Sequence, residues 1–164
     1  CITHVDHQIG RIIQALIEHR LLDNTVILFT SDHGEMLSDH GWCRKSLPYN
    51  GSAHIPMFIS GPERFIGPRG RVEDSLVELR DVMPTLLDLA GAPIPEHLDG
   101  KSMLHPIDRE YLHGEHTFSF NHWSSQFIVT KTDKFVWLNE RNEEQYFDLV
   151  HDPDERHNAI HDAD

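Results

Sequence analysis

Apolar residues at Ile2, Val5, Ile9, Ile12, Ile13, Leu16 and Ile17 recur at three- and four-residue spacing, which predicts an amphipathic helix at the start of the chain. Thr3 is the expected N-cap, with Asp6 three residues on able to reach back as in a capping box, and Leu22-Asp23-Asn24 is the expected end. The pattern then changes. Thr25-Val26-Ile27-Leu28-Phe29-Thr30 is a short continuous apolar run rich in β-branched residues, the reading of a strand buried on both faces of a parallel sheet. Helix, tight turn and buried strand together predict an α/β layer.

A polar stretch from Ser31 to Ser52 follows, punctuated by Gly34, Gly41, Pro48 and Gly51. It is longer than an ordinary connection, and loops of this length commonly carry function. Ile55-Pro56-Met57-Phe58-Ile59-Ser60 predicts a second strand with Pro56 at its beginning, where the missing N–H matters least. Another extended segment is expected within Val72–Leu79. Asp81 to Gly91 reads as a helix with Asp81 as N-cap, Pro84 in the first turn and Gly91 just past the end. Beyond Pro93-Ile94-Pro95, short strand-like runs at Tyr111–Thr117, Gln126–Thr130, Lys134–Leu138 and Gln145–Leu149 predict a small antiparallel sheet. A boundary near residues 100–110 divides the chain into 1–105, an α/β portion, and 106–164, a small α+β subdomain.

Composition narrows the classes. A chain of 164 residues with 38% apolar content can build a real core. No apolar run reaches the length of about 18 residues that a membrane-spanning helix needs. The formal net charge of −13 argues against a nucleic-acid surface and would repel an anionic substrate at long range. Any anion site must therefore rest on a metal or on a placed Lys. Cys1 and Cys43 form neither a disulfide framework nor a C-x-x-C motif, and do not fix the redox compartment. The opening Cys1-Ile2-Thr3-His4-Val5-Asp6 has neither a basic n-region nor an apolar h-region, so it is no signal peptide. Without an initiator Met, and already inside a helix, it reads as the interior of a longer chain.

Candidate chemistry concentrates at Ser31-Asp32-His33-Gly34, at the carboxyl end of the first strand, where open α/β sheets place their ligand crevice. Asp32 and His33 are both potential metal ligands, and Gly34 lets the chain bend so that they converge. The competing reading makes Asp32 a turn or cap residue and His33 an exposed side chain. Lys45, in Gly41-Trp42-Cys43-Arg44-Lys45-Ser46-Leu47-Pro48-Tyr49, is by itself a solvated loop lysine; near a metal it could bind a tetrahedral anion as a point charge. Cys43 lies beside two cations that could lower its pKa, but no base is placed for it, and it reads as an inert or exposed thiol.

The run Thr25 to Glu35 resembles the strand-and-turn signature of the sulfatase family within the alkaline-phosphatase-like superfamily. The resemblance continues in order through Asp39-His40-Gly41, Lys45, Pro48-Tyr49, Ile55-Pro56, Asp81-Val82-Met83-Pro84-Thr85-Leu86 and Asp99-Gly100-Lys101-Ser102. It ends with Glu144-Gln145-Tyr146-Phe147-Asp148-Leu149, Asp152-Pro153-Asp154-Glu155 and Asn158. It implies part of an alkaline-phosphatase-like sandwich with a mostly parallel sheet, followed by a small antiparallel subdomain. It also implies that Asp32 and His33 contact a divalent cation, usually Ca2+, and that Lys45 holds the sulfate group of a small anionic ester. Calcium prefers oxygen donors, so His33 leaves room for Mg2+, Mn2+ or Zn2+, and could instead hydrogen-bond the substrate.

One departure limits the expectation. The family's nucleophile is a formylglycine made from the Cys or Ser of a C/S-x-P-x-R motif, and neither Cys1-Ile2-Thr3-His4 nor Cys43-Arg44-Lys45-Ser46 fits it. The family's paired N-terminal aspartates also have no counterpart. Sulfate ester hydrolysis is thus expected of an intact protein in which an upstream segment joins this chain, and turnover by these 164 residues alone would refute that view. A phosphate or phosphonate ester hydrolase of the same superfamily and a non-catalytic fragment are the alternatives.

Overall fold

The computed structural model describes residues 1–117 and 124–162. In chain order the helices and strands are α1 (Ile2–Glu18), β1 (Ile27–Thr30), α2 (Asn50–Ala53), β2 (Met57–Ser60), α3 (Glu63–Ile66), α4 (Val82–Leu89), β3 (Leu112–Thr117), β4 (Ser124–Val129), β5 (Asp133–Leu138) and β6 (Glu143–Asp148). They fall into two compact units. The first comprises Cys1–Thr30 with Met57–Val72, the second Ser31–Pro56 with Glu73–Asp164. This division runs differently from one at residues 100–110.

In the first unit the apolar period produces α1, but Cys1 holds the N-cap position, no side chain caps the helix, and Thr3 and Asp6 lie inside it. The helix closes earlier than Leu22. Arg20 takes a left-handed φ of 56°; its N–H reaches the Ile17 carbonyl at 3.0 Å and the Leu21 N–H the Leu16 carbonyl at 2.8 Å. This pair of bonds is a Schellman closure, here with Arg in the place glycine usually takes. Leu22–Asn24 then form one 3-10 turn.

β1 pairs with β2 in antiparallel register, Phe29 opposite Phe58, and the two rings stack with centroids 4.8 Å apart. The sequence reading of β1 as a parallel strand buried on both faces is corrected within this chain: its partner runs the other way, and its four residues are half-buried. A continuous apolar run reports burial, not strand direction, so direction was never in the pattern.

The second unit is organised by a four-stranded antiparallel meander of order β3-β4-β5-β6. Register places Phe127 opposite Val136, and Val136 opposite Gln145. Alternation brings Val136 and Phe147 to the buried face, and Lys134 and Gln145 with them. The covering residues come from the long loop: Met36 and Tyr49 join Val136 and Phe147 in one core cluster, with Trp42, Leu47, Phe127, Leu138 and Leu149 packed around it. Tyr49 meets Phe147 edge to face at 6.2 Å. The polar stretch therefore contributes Met36, Trp42, Leu47 and Tyr49 to the core, which its composition conceals.

No strand forms within Val72–Leu79; a 3-10 turn at Leu79–Asp81 leads directly into α4. Asp81 sits at the N-cap position, yet its carboxylate makes no capping bond to the helix. Both its oxygens are taken by Arg109 at 2.8 and 2.9 Å, and they also accept the Lys101 N–H at 2.8 Å and the Glu78 N–H at 2.9 Å. Ser102 donates to Asp88 at 2.6 Å and the Met103 N–H to Thr85 Oγ1 at 2.9 Å. The Asp99-Gly100-Lys101-Ser102 motif is thereby fastened along α4. Gly91 closes that helix with φ 64°, as expected of the position after the C-cap.

Candidate functional site

The loop from Ser31 to Pro56 brings the three predicted site residues together. Asp32 is exposed on 84% of its side chain and His33 on 35%, so both are open to a ligand. His33 Nδ1 lies 2.7 Å from the Gly34 carbonyl oxygen. A carbonyl can only accept, so Nδ1 carries the proton and Nε2 presents its lone pair. Asp32 Oδ2 stands 3.4 Å from that nitrogen, and Lys45 Nζ approaches it at 2.7 Å. Two electron-pair donors, a carboxylate oxygen and an imidazole nitrogen, thus converge on one point, and an ammonium lies against it.

Backbone geometry fixes this turn. The Gly34 N–H donates to the Ser52 carbonyl at 2.8 Å. A Cβ on Gly34 would fall 2.1 Å from the Gly51 carbonyl oxygen. Glycine is needed here for close approach of two backbones, a different reason from the sharp bend that the sequence suggested. On the other side of the loop the Met36 N–H reaches the Arg44 carbonyl at 2.7 Å, and the Arg44 N–H returns to Glu35 Oε1. These contacts tie the strand of chain bearing His33 to the one bearing Lys45.

Three further groups touch this loop without having been legible as site residues. Lys134 and Glu155 are 2% and 1% exposed and form an ion pair. Lys134 Nζ also donates to the Pro48 carbonyl at 3.0 Å and to Asn50 Oδ1 at 2.7 Å. Glu155 Oε2 accepts the Asn50 N–H at 2.6 Å. Burial pushes the Lys134 ammonium below its ordinary pKa of 10.5, with the Glu155 charge opposing. Tyr49 donates to Gln145 at 2.9 Å, and burial raises its hydroxyl above the ordinary value. In the sequence, Lys134 was only the first residue of a strand and Glu155 only a member of the ordered family series.

Among the described residues no group of three or more His, Cys, Asp or Glu side chains is arranged to hold a metal ion. Asp32 and His33 fit as two ligands of one ion by donor chemistry, one hard oxygen and one borderline nitrogen with its tautomer fixed. They do not amount to a full coordination shell. Cys43 is exposed and free, with Ser38 Oγ 3.6 Å from its sulfur.

The fold is mixed α/β, and its relatives in known structures include sulfatases of the alkaline-phosphatase-like superfamily. The structure of BT4656 in complex with its substrate D-glucosamine-2-N,6-O-disulfate matches 99% of the chain at a TM-score of 0.88 and 28% identity, and the match covers 35% of that protein. The family model described as Sulfatase matches residues 1–92. The chain belongs to the sulfatase family.

An arylsulfatase of Clostridium perfringens is 51% identical over 97% of the chain, and arylsulfatase K of Canis lupus familiaris is 36% identical over 93%. The chain spans 34% and 31% of the lengths of these two relatives. A phosphonate monoester hydrolase of Agrobacterium radiobacter matches 99% of the chain at a TM-score of 0.83 and 31% identity, with 36% of that protein covered.

Proposed function

We propose that the full-length protein carrying this chain hydrolyses sulfate esters with the help of a divalent cation. In this reading Asp32 and His33 are two of the cation's ligands and Lys45 binds the sulfate group. The observation that carries it is the convergence of Asp32 Oδ2, His33 Nε2 and Lys45 Nζ within one loop, with the two nitrogens 2.7 Å apart. The arylsulfatases of Clostridium perfringens and Canis lupus familiaris, 51% and 36% identical to the chain, support sulfate as the ester class.

Each side chain has a role its geometry supports. The Gly34 carbonyl holds His33 in the tautomer whose Nε2 presents a lone pair; Lys45 Nζ occupies that lone pair at 2.7 Å, so binding a cation there requires the flexible lysine to swing away from the ring. Asp32 supplies the negative charge that a dication requires, and its exposure leaves the carboxylate free to turn toward one. Lys45 provides a compact, rotatable ammonium for a sulfate oxygen, local positive charge in a chain of formal net charge −13. The cation, when bound, would withdraw charge from the ester oxygens as the S–O bond breaks. Calcium is the expected metal, with Mg2+, Mn2+ and Zn2+ admitted by the imidazole. The nucleophile, a formylglycine by family resemblance, would come from a segment outside these residues.

The test uses the full-length protein and 4-nitrophenyl sulfate. Chelation should abolish turnover and metal add-back restore it, and Lys45→Met should lower kcat/KM by about 100-fold. Calorimetric titration with Ca2+, Mg2+, Mn2+ and Zn2+ should show a site weakened by Asp32→Asn. Sulfate turnover that survives both substitutions would sink the assignment. The likeness to a phosphonate monoester hydrolase supports a second reading, phosphonate or phosphate ester hydrolysis. A metal and a lysine serve either anion, so faster turnover of a phosphonate monoester than of the sulfate would favour it.

A further inference from the structure

We infer that the buried Lys134–Glu155 pair is a positioning device, which holds the loop bearing Lys45 and His33 in register on the C-terminal sheet. The inference rests on the sulfate-binding reading of Lys45 above. Its physical basis is that charged side chains are almost never so fully buried unless they are paired. Here the engagements are directed at one short stretch of loop. Lys134 Nζ binds the Pro48 carbonyl and the Asn50 side chain. Glu155 takes the Asn50 N–H, and Asn50 Nδ2 donates to the Pro153 carbonyl at 3.1 Å. The pair thus grips Pro48 and Asn50 from both sides.

From that grip two short paths lead to the site. Lys45 lies three residues before Pro48, and the Leu47 N–H points to Ser52 Oγ at 3.4 Å. On the other path, the Ser52 and Ala53 N–H groups both bond the Tyr49 carbonyl at 2.9 Å, forming the turn of α2. The Ser52 carbonyl then accepts the Gly34 N–H at 2.8 Å, next to His33. Lys45 and His33 are therefore referenced to the same anchored turn. Tyr49 adds a second attachment through Gln145 and through His40, whose ring stacks on it at 4.0 Å. An apolar core alone would bury the loop without fixing its register, since apolar contacts tolerate sliding that directed bonds do not.

The test uses the full-length protein with two variants, Glu155→Gln and the apolar replacement Lys134→Met with Glu155→Leu. The second guards against failure to fold, because a well-packed apolar pair can replace a buried ion pair. Hydrogen–deuterium exchange should rise about tenfold in peptides covering 31–36 and 44–53 while peptides covering 133–148 stay protected. Unchanged exchange in the loop overturns the inference. Equal loss of protection in strands and loop shows a general core contact and overturns it too.

A double-mutant cycle with Lys45→Met then isolates positioning from stability. With Lys45 present, the apolar replacement should raise KM for 4-nitrophenyl sulfate about tenfold; with Lys45→Met it should change KM less than about twofold. Equal effects in both backgrounds would contradict positioning. If the wild type turns over no sulfate ester, the hydrolase reading falls, and the exchange data alone judge the anchor.

Discussion

Each of the two compact units is stabilised internally by a different kind of contact. In the unit of Cys1–Thr30 and Met57–Val72, Pro62 is the one buried residue among those described, and α1 buries none. Its structure rests on the helix's own backbone, on the β1–β2 ladder and on side chains such as Phe29 and Phe58 that stay partly open. The unit of Ser31–Pro56 and Glu73–Asp164 buries Met36, Tyr49, Val136 and Phe147, and with them Asp81, Lys134 and Glu155. Directed polar bonds fix what packing would leave loose. The candidate site belongs wholly to this second unit, although the sequence attached it to the end of β1, in the first.

The sharpest way to break the comparison is to remove a partner from a buried pair. Arg109→Met would leave Asp81, 0% exposed, with an uncompensated charge. Loss of about 3–5 kcal/mol from the second unit is expected. All three tryptophans, Trp42, Trp123 and Trp137, fall within that unit's ranges and the first unit contains none, so denaturant titration followed by tryptophan fluorescence reads it selectively. A midpoint unchanged from wild type would show that the pair adds nothing beyond its neighbours.

Gly34→Ala is next in size. Its Cβ would meet the Gly51 carbonyl at 2.1 Å, and that neighbour is backbone and cannot rotate away. A cost of about 1–3 kcal/mol is expected, with the Gly34–Ser52 bond broken and calcium affinity of the full-length protein reduced. An alanine variant that binds metal and unfolds like wild type would mean the two backbones can part freely.

Acid sharpens the same contrast. Burial pushes the Asp81 carboxyl upward, but the hydrogen bonds from Arg109, Lys101 and Glu78 outweigh it and hold the pKa below the ordinary 3.8. A carboxyl depressed in the folded state stabilises fully above its unfolded pKa and loses that contribution as pH falls through the folded value. Fluorescence-monitored stability of the second unit should therefore decline as pH drops below about 3.8. Asp81→Asn, less stable at neutral pH, should lack that part of the decline. An identical acid slope in both proteins would remove Asp81 from the account.

How much of this the sequence disclosed follows from the kind of contact. Period and turn chemistry are local, so α1, α4 with its Gly91 close, and the four strands of the meander were legible within a few residues. Asp32, His33 and Lys45 were legible as candidates because they fall on a recognisable ordered series, and the structure brings them together. Strand direction of β1, the absent strand before α4 and the true partners of Asp81 were not. Each depends on residues distant in sequence: Asp81 bonds Arg109, 28 positions away, and Lys134 reaches Pro48, 86 away. A lysine in an alternating strand reads as solvent-facing, and only the fold shows that its alternation points it into the core.

The smallest effect tests the other half of the comparison. Gly10 lies inside α1 and a Cβ there would meet nothing within 4 Å. Glycine in a helix interior costs about 0.5–1 kcal/mol relative to alanine through backbone entropy alone. Gly10→Ala should therefore stabilise the first unit by about that amount, raising the thermal midpoint of the helical signal at 222 nm. The tryptophan transition of the second unit should stay where it is. The two glycine-to-alanine changes would then move stability in opposite directions, because one glycine serves a close backbone approach and the other serves none. Should Gly10→Ala destabilise, that position must face a neighbour in the full-length protein, and the open surface of α1 would be a buried face there.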